Sequence, residues 1–175
     1  MNHQELRDII CSKKPRYNAA FRPLMERIST KGDTSGKGDF STLGAFYQTY
    51  MYAYIIGLRL GKKTPLDCKE KADFAPISNW KPSQVRDFIL ITLFNRCERI
   101  ENGSNWICLE NGSEDYIKLF SGMLVREMEE YANTGLIYLQ QKWNNENILF
   151  TSPFVFVDIL KELPYNNEST LASEE

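Results

Sequence analysis

The sequence predicts a single, mainly α-helical domain of about six or seven helices around a central aromatic-rich helix. Three observations support this prediction. The composition is that of a soluble globular protein, 42% hydrophobic and 25% charged. Apolar residues recur at helical spacing in several long segments, and few segments alternate with period two. The 175 residues fit one domain, expected over residues 1–165, with a flexible polar tail at residues 166–175.

The central helix is predicted from Leu43 to Leu60, within the segment "STLGAFYQTYMYAYIIGLRLGKKTPL". Apolar and aromatic side chains lie on nearly every side of it, which is typical of a helix buried in a bundle or shared with a second subunit. Gly61 and Pro65 predict its end. The apolar run is shorter than the roughly 20 residues that a bilayer span needs, so no membrane association is expected.

Shorter elements are predicted before the central helix. The stretch "NHQELRDIIC" has the apolar spacing of a first helix, and Pro15 in "KKPR" interrupts it. The stretch "RPLMERIS" starts a second helix, since Pro23 suits a first turn. Residues 29–39 hold three glycines and no apolar residue, which predicts a loop. This loop lacks the GKS or GKT ending of a phosphate-binding loop.

The second half predicts three further helical regions. Residues 80–97 contain "DFILITLF", for which a buried strand is the alternative, but the length of the segment favours a helix. The stretch "WICL" lies between two Asn-Gly pairs and predicts either a small hairpin or a loop. Residues 113–143 are strongly helical, with a break and a left-handed backbone expected at Asn133 or Gly135. A last short helix is predicted before Pro164.

Residues suited to catalysis are scarce. His3 is the single histidine, near the end of the chain, so imidazole-based acid–base or metal chemistry has little support. The four cysteines form no CxxC pair. We therefore expect a non-enzymatic protein without a cofactor or metal. The polar, charged first residues show no signal peptide and favour a cytoplasmic location.

The two halves of the chain differ in charge. Residues 1–71 hold 13 Lys/Arg and 7 Asp/Glu, a net charge of +6, and the remaining residues carry −8. Such a separation fits a nucleic-acid-binding face. It fits self-association of a positive half with a negative half equally well. It also fits a solvated surface on which the charges have no binding role.

Two segments resemble small proteins associated with the Dnd system, which are encoded beside bacterial DNA phosphorothioation and restriction genes. The first segment matches at positions in and after the central helix: Phe40, Ala53, Gly57, Gly61, Lys62, Lys63, Pro65 and Leu66. The second, "EEYANTGLIYL" from Glu129 to Leu139, resembles that family's "EEYANGG" with Thr134 in place of a glycine. The resemblance implies an accessory role in DNA modification or phage defence, without naming a substrate.

Two functional hypotheses follow. In the first, the protein binds DNA phosphates through a basic turn after the central helix, assisted by basic residues near the N-terminus: Arg59, Lys62, Lys63, Lys13, Lys14 and Arg16. In the second, it is a protein-binding or homo-oligomeric subunit of a defence or modification complex, without DNA contact. Aromatic residues of the central helix would then form the interface: Phe46, Tyr47, Tyr50 and Tyr54.

Overall fold

The computed structural model describes residues 3–29, 42–67, 70–100, 109 and 111–164. Within these residues the chain is mainly helical, which confirms the predicted fold class. The α-helices are α1 (His3–Ser12), α2 (Arg22–Ile28), α3 (Phe46–Leu60), α4 (Ser83–Ile100), α5 (Glu114–Asn145) and α6 (Val155–Glu162). Two short strands, β1 (Arg16–Asn18) and β2 (Lys71–Asp73), and three 3₁₀ turns complete the described elements.

Helix α3 is the predicted central helix, although it begins at Phe46 rather than at Leu43. It contributes buried side chains from most of its circumference, as its nearly uniform apolar character predicts. It ends at Gly61, whose φ of 61° is the left-handed backbone that glycine adopts at low cost. The predicted helix end at this glycine is confirmed.

Helix α5 is the longest element, with 32 residues and a length of about 48 Å. The hydroxyl of Ser113 accepts a hydrogen bond from the backbone N–H of Tyr116, and Glu114 and Asp115 lie in the positive first turn. The helix is continuous through Asn133 and Gly135, so the predicted break there is wrong. Gly61 is the only described residue with positive φ, so the predicted left-handed backbone is wrong as well.

The two strands pair antiparallel, with Tyr17 opposite Ala72 in the middle of the ladder. They are separated in sequence by α2 and α3, so this pair joins the N-terminal segment to the chain that follows α3. The hairpin considered around "WICL" falls mostly outside the described residues, since only Leu109 of that stretch is described, and it is helical.

The other predicted helices are confirmed. The segment "DFILITLF" lies within α4, so its strand alternative is wrong. Helices α1, α2 and α6 form where the periodicity places them, with Pro23 in the first turn of α2. The expected loop at residues 29–39 lies outside the described residues apart from Ser29, as does the expected tail at residues 166–175. None of the helices searched in the described part of the chain has the length and hydropathy of a membrane span.

Aromatic rings fill the region between α3 and the β1–β2 ladder. Tyr50 stacks on Phe74 with a centroid distance of 5.0 Å, and Tyr17 meets Phe74 edge-on at 5.5 Å. The indole of Trp80, 1% exposed, packs against Tyr50 and donates its N–H to the carbonyl of Ala75. These contacts bury large apolar area around α3 and give it its central position.

Candidate functional site

Helices α3 and α5 approach so closely that their backbones touch. A Cβ atom added to Gly135 would lie within 3.0 Å of the carbonyl oxygen of Ala53. A Cβ added to Gly57 would lie within 3.0 Å of the carbonyl oxygen of Tyr131. Each helix therefore supplies one glycine at the point where the other helix presents its backbone. Both glycines belong to the segments that resemble the Dnd-associated proteins.

The turn after α3 is held against α5 by hydrogen bonds. The side-chain amide of Asn133 donates to the carbonyl oxygens of Thr64 and Pro65, both at 3.1 Å. The backbone N–H of Thr64 donates to the carbonyl oxygen of Glu130 at 3.2 Å, and the hydroxyls of Thr64 and Thr134 lie 2.9 Å apart. Asn133 thus anchors the turn from within a continuous helix, a role that its place in the sequence did not suggest.

Lys63 points towards α5. Its Nζ lies 2.9 Å from Oε1 of Glu127 and 5.6 Å from the ring centroid of Tyr131, and the guanidinium of Arg96 lies 5.3 Å from the same ring. Burial lowers the pKa of Lys63, but the hydrogen bond and the charge of Glu127 outweigh it and raise that pKa. Burial raises the pKa of the Tyr131 phenol, which keeps this ring neutral between the two cations.

Arg16 is also bound within the chain. Its backbone N–H and Nε donate to Oε1 of Glu129 at 2.8 and 3.1 Å, and Nη2 donates to Oε2 at 3.2 Å. Glu129 is 3% exposed, so this pair compensates a carboxylate inside the protein. The hydroxyl of Tyr50 donates to the carbonyl oxygen of Arg16 at 3.1 Å. Arg16 therefore connects β1 to both α3 and α5.

The six basic residues predicted to bind DNA are consequently not equivalent. Lys63 and Arg16 contact Glu127 and Glu129, and two positions on an α-helix differ by about 200°, so these contacts lie on different sides of α5. Arg59 donates to the carbonyl oxygen of Leu163 at 3.3 Å. Lys14 and Lys62 are exposed and Lys13 is half-buried, and none of these three forms an ion pair within the described residues.

The aromatic residues predicted to form an oligomer interface also divide into two groups. Tyr50 and Tyr54 are 0% and 1% exposed, and Tyr54 packs edge-on against Tyr131. Because the fold of a single chain covers both rings, neither is at the surface where a second copy could contact it. Phe46 and Tyr47 are partly buried and pack against the same core. The prediction assigned these rings to a partner because it could not see α5.

A different surface carries the large exposed apolar side chains of α4. Phe88 is 60% exposed and Ile91 is 67% exposed. Beside them, α1 and α4 enclose an apolar groove. The helical spacing of α4 had suggested that Phe88 faces the core, but "FILITLF" is apolar on every side, so periodicity could not say which residues stay outside.

Chemical groups for metal binding do not converge in the described part of the chain. No group of three or more His, Cys, Asp or Glu residues there is placed to hold a metal ion. Cys11 is buried, and burial raises the pKa of its thiol.

Comparisons with known proteins give no match. The scan against protein-family models matches no family, and neither the curated proteins nor the solved structures contain a significant relative of this chain.

Proposed function

We propose that this protein is a non-enzymatic accessory protein of a DNA phosphorothioation or phage-defence type system, and that it works by contacting other proteins of that system. The single observation that carries the proposal is the docking of the two segments that resemble the Dnd-associated proteins. They are separated by more than 60 residues in sequence, yet they form one helix pair through Gly57, Tyr131, Ala53 and Gly135.

This docking supports a common origin of the two similar segments. A chance similarity of two short segments would not require that they touch. Here the turn residues Thr64 and Pro65 of the first segment accept hydrogen bonds from Asn133 of the second. The residue types that carry the resemblance are therefore those that build the contact: glycines for close approach, and an amide for the turn.

Two features favour a protein partner over DNA. The basic residues Arg16 and Lys63 lie beside carboxylates of α5, which reduces the positive charge that they offer to phosphate. Phe88 and Ile91 expose apolar surface on α4, and exposed apolar side chains of this size are typical of protein contacts rather than of phosphate contacts.

A genetic experiment tests the proposal. We expect deletion of the gene in its host to change the amount of phosphorothioate-linked dinucleotides in genomic DNA, measured by mass spectrometry after nuclease digestion, or the efficiency of phage plating. Re-expression of the wild-type chain should restore both quantities. If deletion leaves both unchanged in a host that carries the modification genes, the proposed function is wrong.

DNA contact is a second candidate, favoured by Lys62. This exposed lysine follows the left-handed Gly61 on the turn that Asn133 holds in place, so its charge is presented from a rigid support. Binding through such a lysine would be weak, independent of sequence and steeply dependent on salt, because phosphate contacts act through counterion release.

A gel-shift titration at two salt concentrations tests this second candidate. If Lys62 contacts a phosphate, Lys62→Ala should weaken binding and flatten the salt slope by roughly 0.9. Lys118→Ala is the control, because Lys118 is an exposed lysine on α5 away from the turn. Equal losses in both variants would indicate nonspecific attraction, and no binding by the wild type at low salt would exclude DNA as a partner.

A further inference from the structure

Helices α1 and α4 form an apolar groove on the surface. Leu6, Ile10 and Leu90 are buried at its base, and Phe94 lies near one end. At the other end Asp87 binds Arg7 across the groove, with a distance of 2.7 Å between Nη2 and Oδ2. The groove therefore has an apolar floor and, at one end, a pair of opposite charges.

The same face also carries a ridge. Phe88 and Ile91 stand 60% and 67% exposed along the outer side of α4. They are three residues apart, so they are separated by about 4.5 Å along the helix axis. The groove runs from Asp87 to Phe94, a distance of about 10 Å along α4. The ridge is thus short enough to fit into a groove of this length.

We propose that the occupant of this groove is a second copy of the same chain, and that the protein forms a two-fold symmetric dimer through α1 and α4. In such a dimer each copy inserts its Phe88–Ile91 ridge into the groove of the other. A two-fold interface requires one surface patch to be complementary to itself. This patch meets that requirement, because it holds both a groove and a ridge, and both a cation and an anion.

Other occupants account for less of this surface. The groove has a volume of about 280 Å³, just below the range of about 300–1,000 Å³ for sites that bind drug-sized molecules. A helix from an unrelated protein would use the groove but would leave the ridge without a matching cavity. The dimer proposal does not depend on the proposed role in DNA modification, since it concerns the purified chain alone.

The test is sedimentation equilibrium of the full chain over a concentration series from micromolar to hundreds of micromolar, in reducing buffer so that cysteine cross-links do not contribute. The wild type should show a reversible monomer–dimer equilibrium. Ile91→Glu should weaken dimerisation on the order of 100-fold or more, because each symmetric interface contains this residue twice. Circular dichroism and thermal melting should remain close to those of the wild type, since Ile91 is mostly exposed in the monomer.

The matched control is Ile148→Glu. Ile148 is the same residue type with 76% exposure, and it lies in the 3₁₀ turn Asn147–Thr151 before α6 rather than on the α1–α4 face. This variant should dimerise as the wild type does.

Three results would overturn the proposal: a wild type that stays monomeric throughout the series, an Ile91→Glu variant that still dimerises, or equal weakening by Ile148→Glu. A monomeric wild type would mean that another molecule occupies the groove. Loss of the dimer with a normal phenotype in the genetic experiment would leave the two proposals separately decided.

Discussion

The contact between α3 and α5 differs in kind from the face formed by α1 and α4. At the first, two glycines let the backbones touch, and the neighbouring charged side chains Lys63 and Arg16 lie against carboxylates of the same chain. At the second, Phe88 and Ile91 remain exposed beside an apolar groove. The glycine contact is closed by the chain itself, whereas the apolar face is left open.

The difference separates stability from association. Close backbone packing leaves no room for a side chain, so a change at the α3–α5 contact should act on the free energy of unfolding. A change at the open face removes little that the monomer buries, so it should act on binding instead. Substitutions in the two regions can therefore be distinguished by which measurement they alter.

The largest expected effect is that of Gly135→Ala. The new methyl group would overlap the backbone of Ala53, so the helices must separate, and we expect a loss of about 2–3 kcal/mol in the free energy of unfolding. Urea denaturation followed by circular dichroism measures it. An unchanged midpoint would mean that the two helices can move apart without cost.

The control for this substitution lies on the same helix. Nothing within 4 Å would meet a Cβ at Gly122, so Gly122→Ala should stabilise the protein by about 0.5–1 kcal/mol through helix propensity alone. Opposite signs for the two substitutions would show that the contact with α3, and not the intrinsic preference of glycine, determines the result at Gly135.

A smaller effect is expected for Arg16→Ala. It removes the guanidinium from a carboxylate that is 3% exposed, and we expect a loss of about 2 kcal/mol because charged hydrogen bonds are lost and Glu129 stays buried. Arg22→Ala breaks the exposed pair with Glu26 and should cost less than about 0.5 kcal/mol. Equal losses, measured by urea denaturation, would contradict the structural role assigned to Arg16.

Asn133→Ala should cost about 1 kcal/mol, because it removes two hydrogen bonds to the turn after α3. The turn should also become more accessible, so limited trypsin digestion should cleave faster after Lys62 or Lys63. Faster unfolding without faster cleavage at these lysines would show that the turn does not depend on Asn133.

The smallest effect on stability is expected at the basic turn. Lys62→Ala should leave the free energy of unfolding unchanged, because Lys62 is exposed, whereas Lys63→Ala removes the contact with Glu127 and should cost less than about 1 kcal/mol. Thermal melting of the two variants side by side gives this comparison. A larger loss for Lys62→Ala would reverse the roles assigned to the two lysines.

Much of the secondary structure follows from the sequence alone. Helical periodicity located α3 and α4, and Gly61 marked the end of α3, because these signals depend on residues within one or two turns of each other. The scarcity of period-two segments also predicted a mainly helical domain. Local rules succeed where a local cause decides the outcome.

The tertiary structure alone decided what Gly135, Asn133, Tyr50 and Tyr54 do. A glycine and an asparagine within a helical segment predict a break, but here α5 continues because Gly135 admits the backbone of Ala53 and Asn133 binds the turn after α3. Apolar rings on all sides of α3 do not reveal which neighbour covers them, and the neighbour is the same chain. Each of these outcomes depends on residues that are distant in sequence, and only the packed chain brings them together.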